Sequence, residues 1–166
     1  EGGVNVASLD YLQGLNKICQ EKKITLIFDE VQTGLGRTGK MFAYEHYGIK
    51  PDIMTLAKSL GGGMALGAML AAEEIARAFV PGTHASTFGG NPLACSAGLA
   101  AINAIIDEKM VKNSKTMGEY LMKRLTELKE KYHFIKDIRG KGLLIGMELD
   151  FPGEISAKEV NRCSVI

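Results

Sequence analysis

Cysteine is scarce in this 166-residue chain, and the three present, Cys19, Cys95 and Cys163, stand far apart without a CxxC pair. That spacing builds neither a disulfide framework nor a zinc ribbon. His46, His84 and His133 are equally scattered, so no metal site is expected. Charge of one sign is also lacking: 20 Lys and Arg balance 19 Asp and Glu, for a net charge of +1. Without a basic field the chain misses the first requirement for general nucleic-acid binding, and no nucleic-acid partner is expected. Long hydrophobic runs are missing too. The longest apolar stretch, Met64 to Ala72, is far too short for a bilayer, so no membrane partner is expected. No signal-peptide pattern opens the chain, and a reducing, cytoplasmic setting is the expectation. The ends, Glu1-Gly2-Gly3 without an initiator Met and Asn161 to Ile166 without a cap, read as those of a fragment.

What remains is an ordinary globular composition, 46% hydrophobic and 23% charged. A chain of this length can bury roughly 70% of its unfolded surface. Glycine is the abundant residue, 20 in all, crowded between Gly34 and Gly98 without a collagen-like period. Backbone freedom is concentrated in that central segment, which we read as the site.

Leu12, Leu15, Ile18 and Cys19 have helical spacing and predict a helix over 9–20, with Ser8 as its cap. The run Ile24 to Phe28, ending in Asp29-Glu30, reads as a buried parallel strand with acids at its carboxyl end. Ile53 to Ala57 and Leu66 to Ala72 are further strand candidates. Asn91-Pro92 opens a helix running to Ile106, with proline at its tolerated first position. Beyond residue 107 the composition shifts. Asp107 to Lys131 is charge-rich, with Met117, Leu121, Leu125 and Leu128 on one helical face, and Phe134 to Glu148 reads as two strands around Gly140-Lys141-Gly142. The expected fold is α/β, a mostly parallel sheet with flanking helices. A domain boundary is expected near 107–115, dividing 1–110 from a linking helix and the start of a small α+β domain over 111–166.

Two glycine motifs mislead. Gly34-Leu35-Gly36-Arg37-Thr38-Gly39 matches GxGxxG, but five residues separate it from the preceding strand, and the next strand ends in Lys58, not an acid. Gly34, Gly39 and Lys40 fit a phosphate loop, yet Met41 stands where Ser or Thr must hold magnesium. A tight surface turn is the better reading, with Arg37 and Lys40 as loop charges.

Lys58 carries more information. It is the only charged side chain between Ile53 and Ala72. A lysine among apolar residues snorkels outward, pairs with an acid, or is desolvated toward its neutral, nucleophilic form. Asp29 ends one strand and Lys58 ends the next, so both belong at the carboxyl edge of a parallel sheet, where ligands of open α/β sheets bind. An amine and an acid on that edge suit pyridoxal phosphate, whose aldehyde takes a lysine and whose ring nitrogen takes a carboxylate. For Asp29 alone, capping a nearby backbone amide is the competing reading.

The run Leu26 to Gly34, then Gly36-Arg37-Thr38-Gly39, Pro51-Asp52-Ile53, Ala57-Lys58, Gly61-Gly62-Gly63 and Thr83 to Pro92 resembles the class III, ornithine-type aminotransferases, in the same order and over nearly the whole chain. The resemblance implies part of the large domain of a fold type I pyridoxal-phosphate transferase. It implies that Lys58 bonds the cofactor and shuttles a proton, that Asp29 pairs with the ring nitrogen, that Val31 packs on the ring, and that Gln32 donates to the phenolic oxygen. It further implies that Ser86 and Thr87 reach the phosphate of a neighbouring subunit, making a homodimer with a shared active site, and that Glu1 meets a substrate-binding arginine and yields to 2-oxoglutarate. The implied reaction moves the terminal amine of an N-acylated diamino acid to 2-oxoglutarate, with other ω-amino acids as alternatives. Duller readings stay open: Val31 as core, Gln32 as a turn cap, Ser86 and Thr87 as turn chemistry, Glu1 as a solvated acid. His84 reads as structural and Cys95 as core. These 166 residues alone are expected to bind the cofactor poorly, and a truncated binding or dimerisation module is the non-enzymatic alternative.

Overall fold

The computed structural model describes residues 2–151. Helix α1 spans Leu9–Lys22. The Ser8 hydroxyl accepts the Tyr11 N–H and starts it, and Lys23, in the left-handed region, ends it with its N–H on the Cys19 and Gln20 carbonyls. Strand β1 is Ile27–Asp29 and β2 is Ile53–Leu56, paired parallel with Ile27 opposite Ile53 and Asp29 opposite Thr55. Asp52 fixes that register. Its carboxylate accepts the Leu26 N–H at 2.7 Å while its own N–H donates to the Leu26 carbonyl at 2.9 Å. β1 is therefore shorter than the apolar run from Ile24 suggests, because pairing starts only where Asp52 holds the chain.

Strand β3, Ala68–Ala71, runs antiparallel to β2, giving a three-stranded order β1-β2-β3 with one parallel and one antiparallel pairing. A one-turn helix α2, Glu73–Ala76, follows. The core gathers under β2: Met54, Leu56 and Leu60 are buried, with Leu35, Phe42, Tyr44, Leu66 and Ile102 packed around them. Helix α3, Pro92–Asp107, is capped by the Asn91 side chain on the Ala94 N–H. It lies against the turn after β2 at Gly98, where any Cβ would come within 2.5 Å of the Leu66 side chain.

Lys109, in the left-handed region, breaks α3 from α4, Met110–Lys131. Strands β4, Ile135–Lys141, and β5, Leu144–Leu149, form an antiparallel hairpin. Its turn residue Gly142 is held so close that a Cβ on Gly118 of α4 would sit 2.2 Å from the Gly142 carbonyl oxygen. The buried face of α4 consequently runs through Ser114 and Gly118, and Met117, Leu121 and Leu128 of the expected face are exposed. Contacts cross the expected boundary near residue 110. The Ser114 hydroxyl and the Leu143 N–H both donate to the Arg37 carbonyl, at 3.1 and 2.9 Å.

Candidate functional site

The parallel register of β1 and β2 brings the ends of both strands to one edge. Asp29 closes β1 there, and its Oδ1 accepts the Thr55 hydroxyl at 3.2 Å and the Val31 N–H at 3.0 Å. The backbone-capping reading of Asp29 is thus true of one oxygen; among the described residues Oδ2 has no hydrogen-bond partner. Beyond β2, Lys58 takes φ 48° and opens a 3-10 turn over Lys58–Gly61. A left-handed lysine is unusual and identifies a position held by its surroundings. Its Nζ donates to the Gln32 Oε1 at 2.7 Å. Lys58 is exposed, the outward-reaching one of the three readings open to it and not the desolvated one, because the chain leaves the sheet at Leu56 and the side chain emerges at the open edge. Among the described residues no ion pair joins Lys58 to Asp29, so each can address a separate end of a ligand.

Val31 and Gln32 are partly buried and bridge the two strand ends. Ser86 and Thr87 lie elsewhere, on an exposed segment where the Ser86 carbonyl accepts the Gly89 N–H at 3.1 Å. They make no hydrogen bond to Asp29, Gln32 or Lys58 among the described residues. Glu1 lies outside the described residues, as does Cys163. His84 packs edge-on to Phe79, a structural contact. Cys95 is exposed on α3 and not part of the core, since that helix is apolar on more than one face.

The glycine loop is not the open surface turn expected of it. Gly36 and Gly39 have positive φ and are buried beneath α4, where Cβ atoms would meet Val111 and Lys115 at 3.1 and 3.0 Å. The Gly36 and Gly39 amides donate to the Met41 and Gly36 carbonyls, and only a short 3-10 turn over Ala43–His46 follows, so the loop lacks the geometry of a phosphate cradle. Within the loop the His46 ring nitrogen lies 3.1 Å from both the Thr38 carbonyl and hydroxyl. Burial, then the nearby Lys141, pushes the His46 imidazole below its ordinary value. A cleft of about 450 Å³ between the loop, Ser59 and α4 does not include Asp29, Gln32 or Lys58.

Sequence reasoning missed Glu30. Only 2% exposed, its carboxylate accepts the Tyr44 N–H at 2.9 Å, the Ala43 N–H at 3.0 Å and the Thr33 hydroxyl. The signal was available in strand alternation: of two consecutive acids at a strand end, one faces outward and the other inward.

Residues 1–163 match the family model described as Aminotransferase class-III. The acetylornithine aminotransferase of Methanocaldococcus jannaschii is 54% identical over 162 residues, 96% of this chain and 40% of that protein. The enzyme of the same name from Caldanaerobacter subterraneus is 52% identical, over 90% of this chain and 38% of its own length. Among solved structures, an ornithine aminotransferase from Plasmodium yoelii superposes with a TM-score of 0.84 at 43% identity, covering 90% of this chain and 41% of that one. One from Toxoplasma gondii gives 0.86 at 42% identity, over 90% and 36%. The chain spans about two fifths of the length of the curated relatives it matches.

Proposed function

This chain belongs to the class III aminotransferases, and from that premise we propose that it carries the cofactor-gripping edge of a pyridoxal-phosphate-dependent enzyme that moves the terminal amine of N-acetylornithine to 2-oxoglutarate, giving the semialdehyde and glutamate. The observation that carries the reading is the parallel β1–β2 register, with Asp29 beside Thr55 and Lys58 bonded to Gln32 at the same edge. The donor set fits the cofactor. Asp29 keeps an acceptor oxygen without a partner among the described residues, and Lys58 is accessible and outside any ion pair among them. A solved Toxoplasma gondii ornithine aminotransferase is described with partial occupancy of this cofactor at its active site.

Bound pyridoxal phosphate supplies an electron sink for the carbon that bears the migrating amine. Asp29, oriented by Thr55, holds a proton at the ring nitrogen through a charge-assisted hydrogen bond. Gln32 accepts from Lys58 through Oε1, which leaves its amide nitrogen free to donate to the phenolic oxygen. Val31 packs against the ring. Lys58 would hold the cofactor through its amine and would carry the proton to and from the carbon that bears the migrating amine. Ser86 and Thr87, on their exposed segment, reach the phosphate in the partner of a homodimer. Phe88, next to Thr87, is 81% exposed and is available for burial in such an assembly. Glu1 governs entry of 2-oxoglutarate. No helix among the described residues is long and apolar enough to cross a membrane, and we place the enzyme in the cytoplasm.

The higher identities of the acetylornithine enzymes, 54% and 52%, against 43% for the Plasmodium yoelii ornithine aminotransferase favour the acetylated substrate. Ornithine and succinylornithine are the second reading. In the full-length protein, N-acetylornithine should outperform both by kcat/KM, and Lys58→Ala should abolish the visible absorbance of the lysine-bound cofactor. Persistence of that band in Lys58→Ala would refute the assignment.

A further inference from the structure

Glu30 is the only ionisable side chain among the buried polar groups, Glu30, Thr38 and Ser114, of the described residues, and no cation pairs with it there. An isolated buried carboxylate is costly unless hydrogen bonds fill its oxygens. Here Oε1 accepts the Tyr44 N–H, while Oε2 accepts the Ala43 N–H and the Thr33 hydroxyl. The donors come from both sides of the glycine loop. Thr33 belongs to the turn that carries Val31 and Gln32. Ala43 and Tyr44 belong to the segment whose Phe42 and Tyr44 rings pack on Met54, Leu56 and Leu60. The Glu30 carbonyl closes the same turn on the Gly34 N–H at 2.9 Å.

The consequences reach the site on either side of Glu30. One residue before it, Asp29 takes its orientation partly from the Val31 N–H of this turn. Two residues after it, Gln32 holds the Lys58 amine. We propose that Glu30 is a positioning residue: its buried carboxylate ties the turn 30–33 to the core so that Asp29 and the Gln32–Lys58 pair keep their mutual placement. This rests on the reading of Asp29, Gln32 and Lys58 as the cofactor grip. A carboxylate is needed, and not merely a polar group of the same shape. The amide of glutamine offers one acceptor oxygen, and its NH2 cannot accept, so the Ala43 or the Tyr44 N–H would face another donor. Either outcome loosens one anchor of the turn.

The test uses the full-length protein with Glu30→Gln, Thr33→Val and Thr33→Ser. Apoprotein is titrated with pyridoxal phosphate, and amide hydrogen exchange is followed at Ala43 and Tyr44. Glu30→Gln should weaken cofactor binding by about tenfold or more, the scale of a lost hydrogen bond to a charged group. Thr33→Val should weaken it less, Thr33→Ser should restore it, and exchange at both amides should quicken in Glu30→Gln. Lower stability with parental affinity and a parental visible spectrum would make Glu30 a fold anchor only and overturn the proposal. If Glu30→Gln does not fold, equal affinities in Thr33→Val and Thr33→Ser overturn it. Lys58→Ala, assayed in parallel, separates the two ideas. Parental covalent capture by that variant would refute the site itself, whereas its loss alongside parental affinity in the Glu30 and Thr33 variants would refute only the positioning role.

Discussion

Replacing Thr55 by valine would remove one hydroxyl from the wall that orients Asp29 while keeping the β-branched shape that suits a strand. The Asp29 Oδ1 holds two donors, Thr55 Oγ1 at 3.2 Å and Val31 N at 3.0 Å, so the substitution halves its fixed partners. A hydrogen bond to a charged group contributes about 1.5–3 kcal/mol where water is excluded. Asp29 is exposed and the bond is long, so water replaces much of the loss. About 0.5–1.5 kcal/mol is the reasonable range, equivalent to roughly a two- to tenfold weaker grip on the cofactor. Unfolding stability should change little. Titration of full-length apoprotein with pyridoxal phosphate, followed by visible absorbance, measures the effect. Thr55→Ser, which keeps the hydroxyl, should bind close to the parent. Equal affinities for the valine and serine variants would refute the idea that Thr55 orients Asp29.

Gly118→Ala should destabilise the protein by about 1–3 kcal/mol, since its Cβ meets the Gly142 backbone and neither element can give way without shifting the hairpin; an unchanged urea midpoint would contradict that packing. The hairpin also predicts acid sensitivity. Arg139 holds the Asp137 carboxyl below the usual carboxylate range, and Lys136 and then Arg139 do the same for Glu148. A depressed folded value adds stability above the ordinary carboxylate pKa and loses it as pH falls through the folded value. The melting-temperature gap between parent and Glu148→Gln should therefore close as pH drops from 7 toward 3, and a gap that persists would count against these ion pairs.

Much of the fold is legible in the sequence where local chemistry decides it. Ser8 and Asn91-Pro92 start α1 and α3 as their capping chemistry requires. Gly142 marks the hairpin turn. Strand direction was also within reach. Residues 57–67 are too few for the crossover a parallel β3 would need, and the pairing is antiparallel. The face of α4 was not legible. Its leucines have helical spacing, but Gly142 approaches so closely that the small residues Ser114 and Gly118 must face it. Of the candidate site, the strand-end placement of Asp29 and Lys58 followed from the motifs. The exposure of Lys58 did not, because it depends on where the chain turns after its strand, whereas the inward carboxylate of Glu30 was legible only through strand alternation.

In the proposed site Lys58 and Asp29 grip opposite ends of one pyridoxal phosphate. Borohydride reduction of the full-length holoprotein, followed by peptide mapping, tests it at the lysine end and, with Asp29→Asn, at the other. The cofactor should be fixed to Lys58 in the parent, with markedly weaker retention in Asp29→Asn. A label on another lysine, or parental retention in Asp29→Asn, would contradict it.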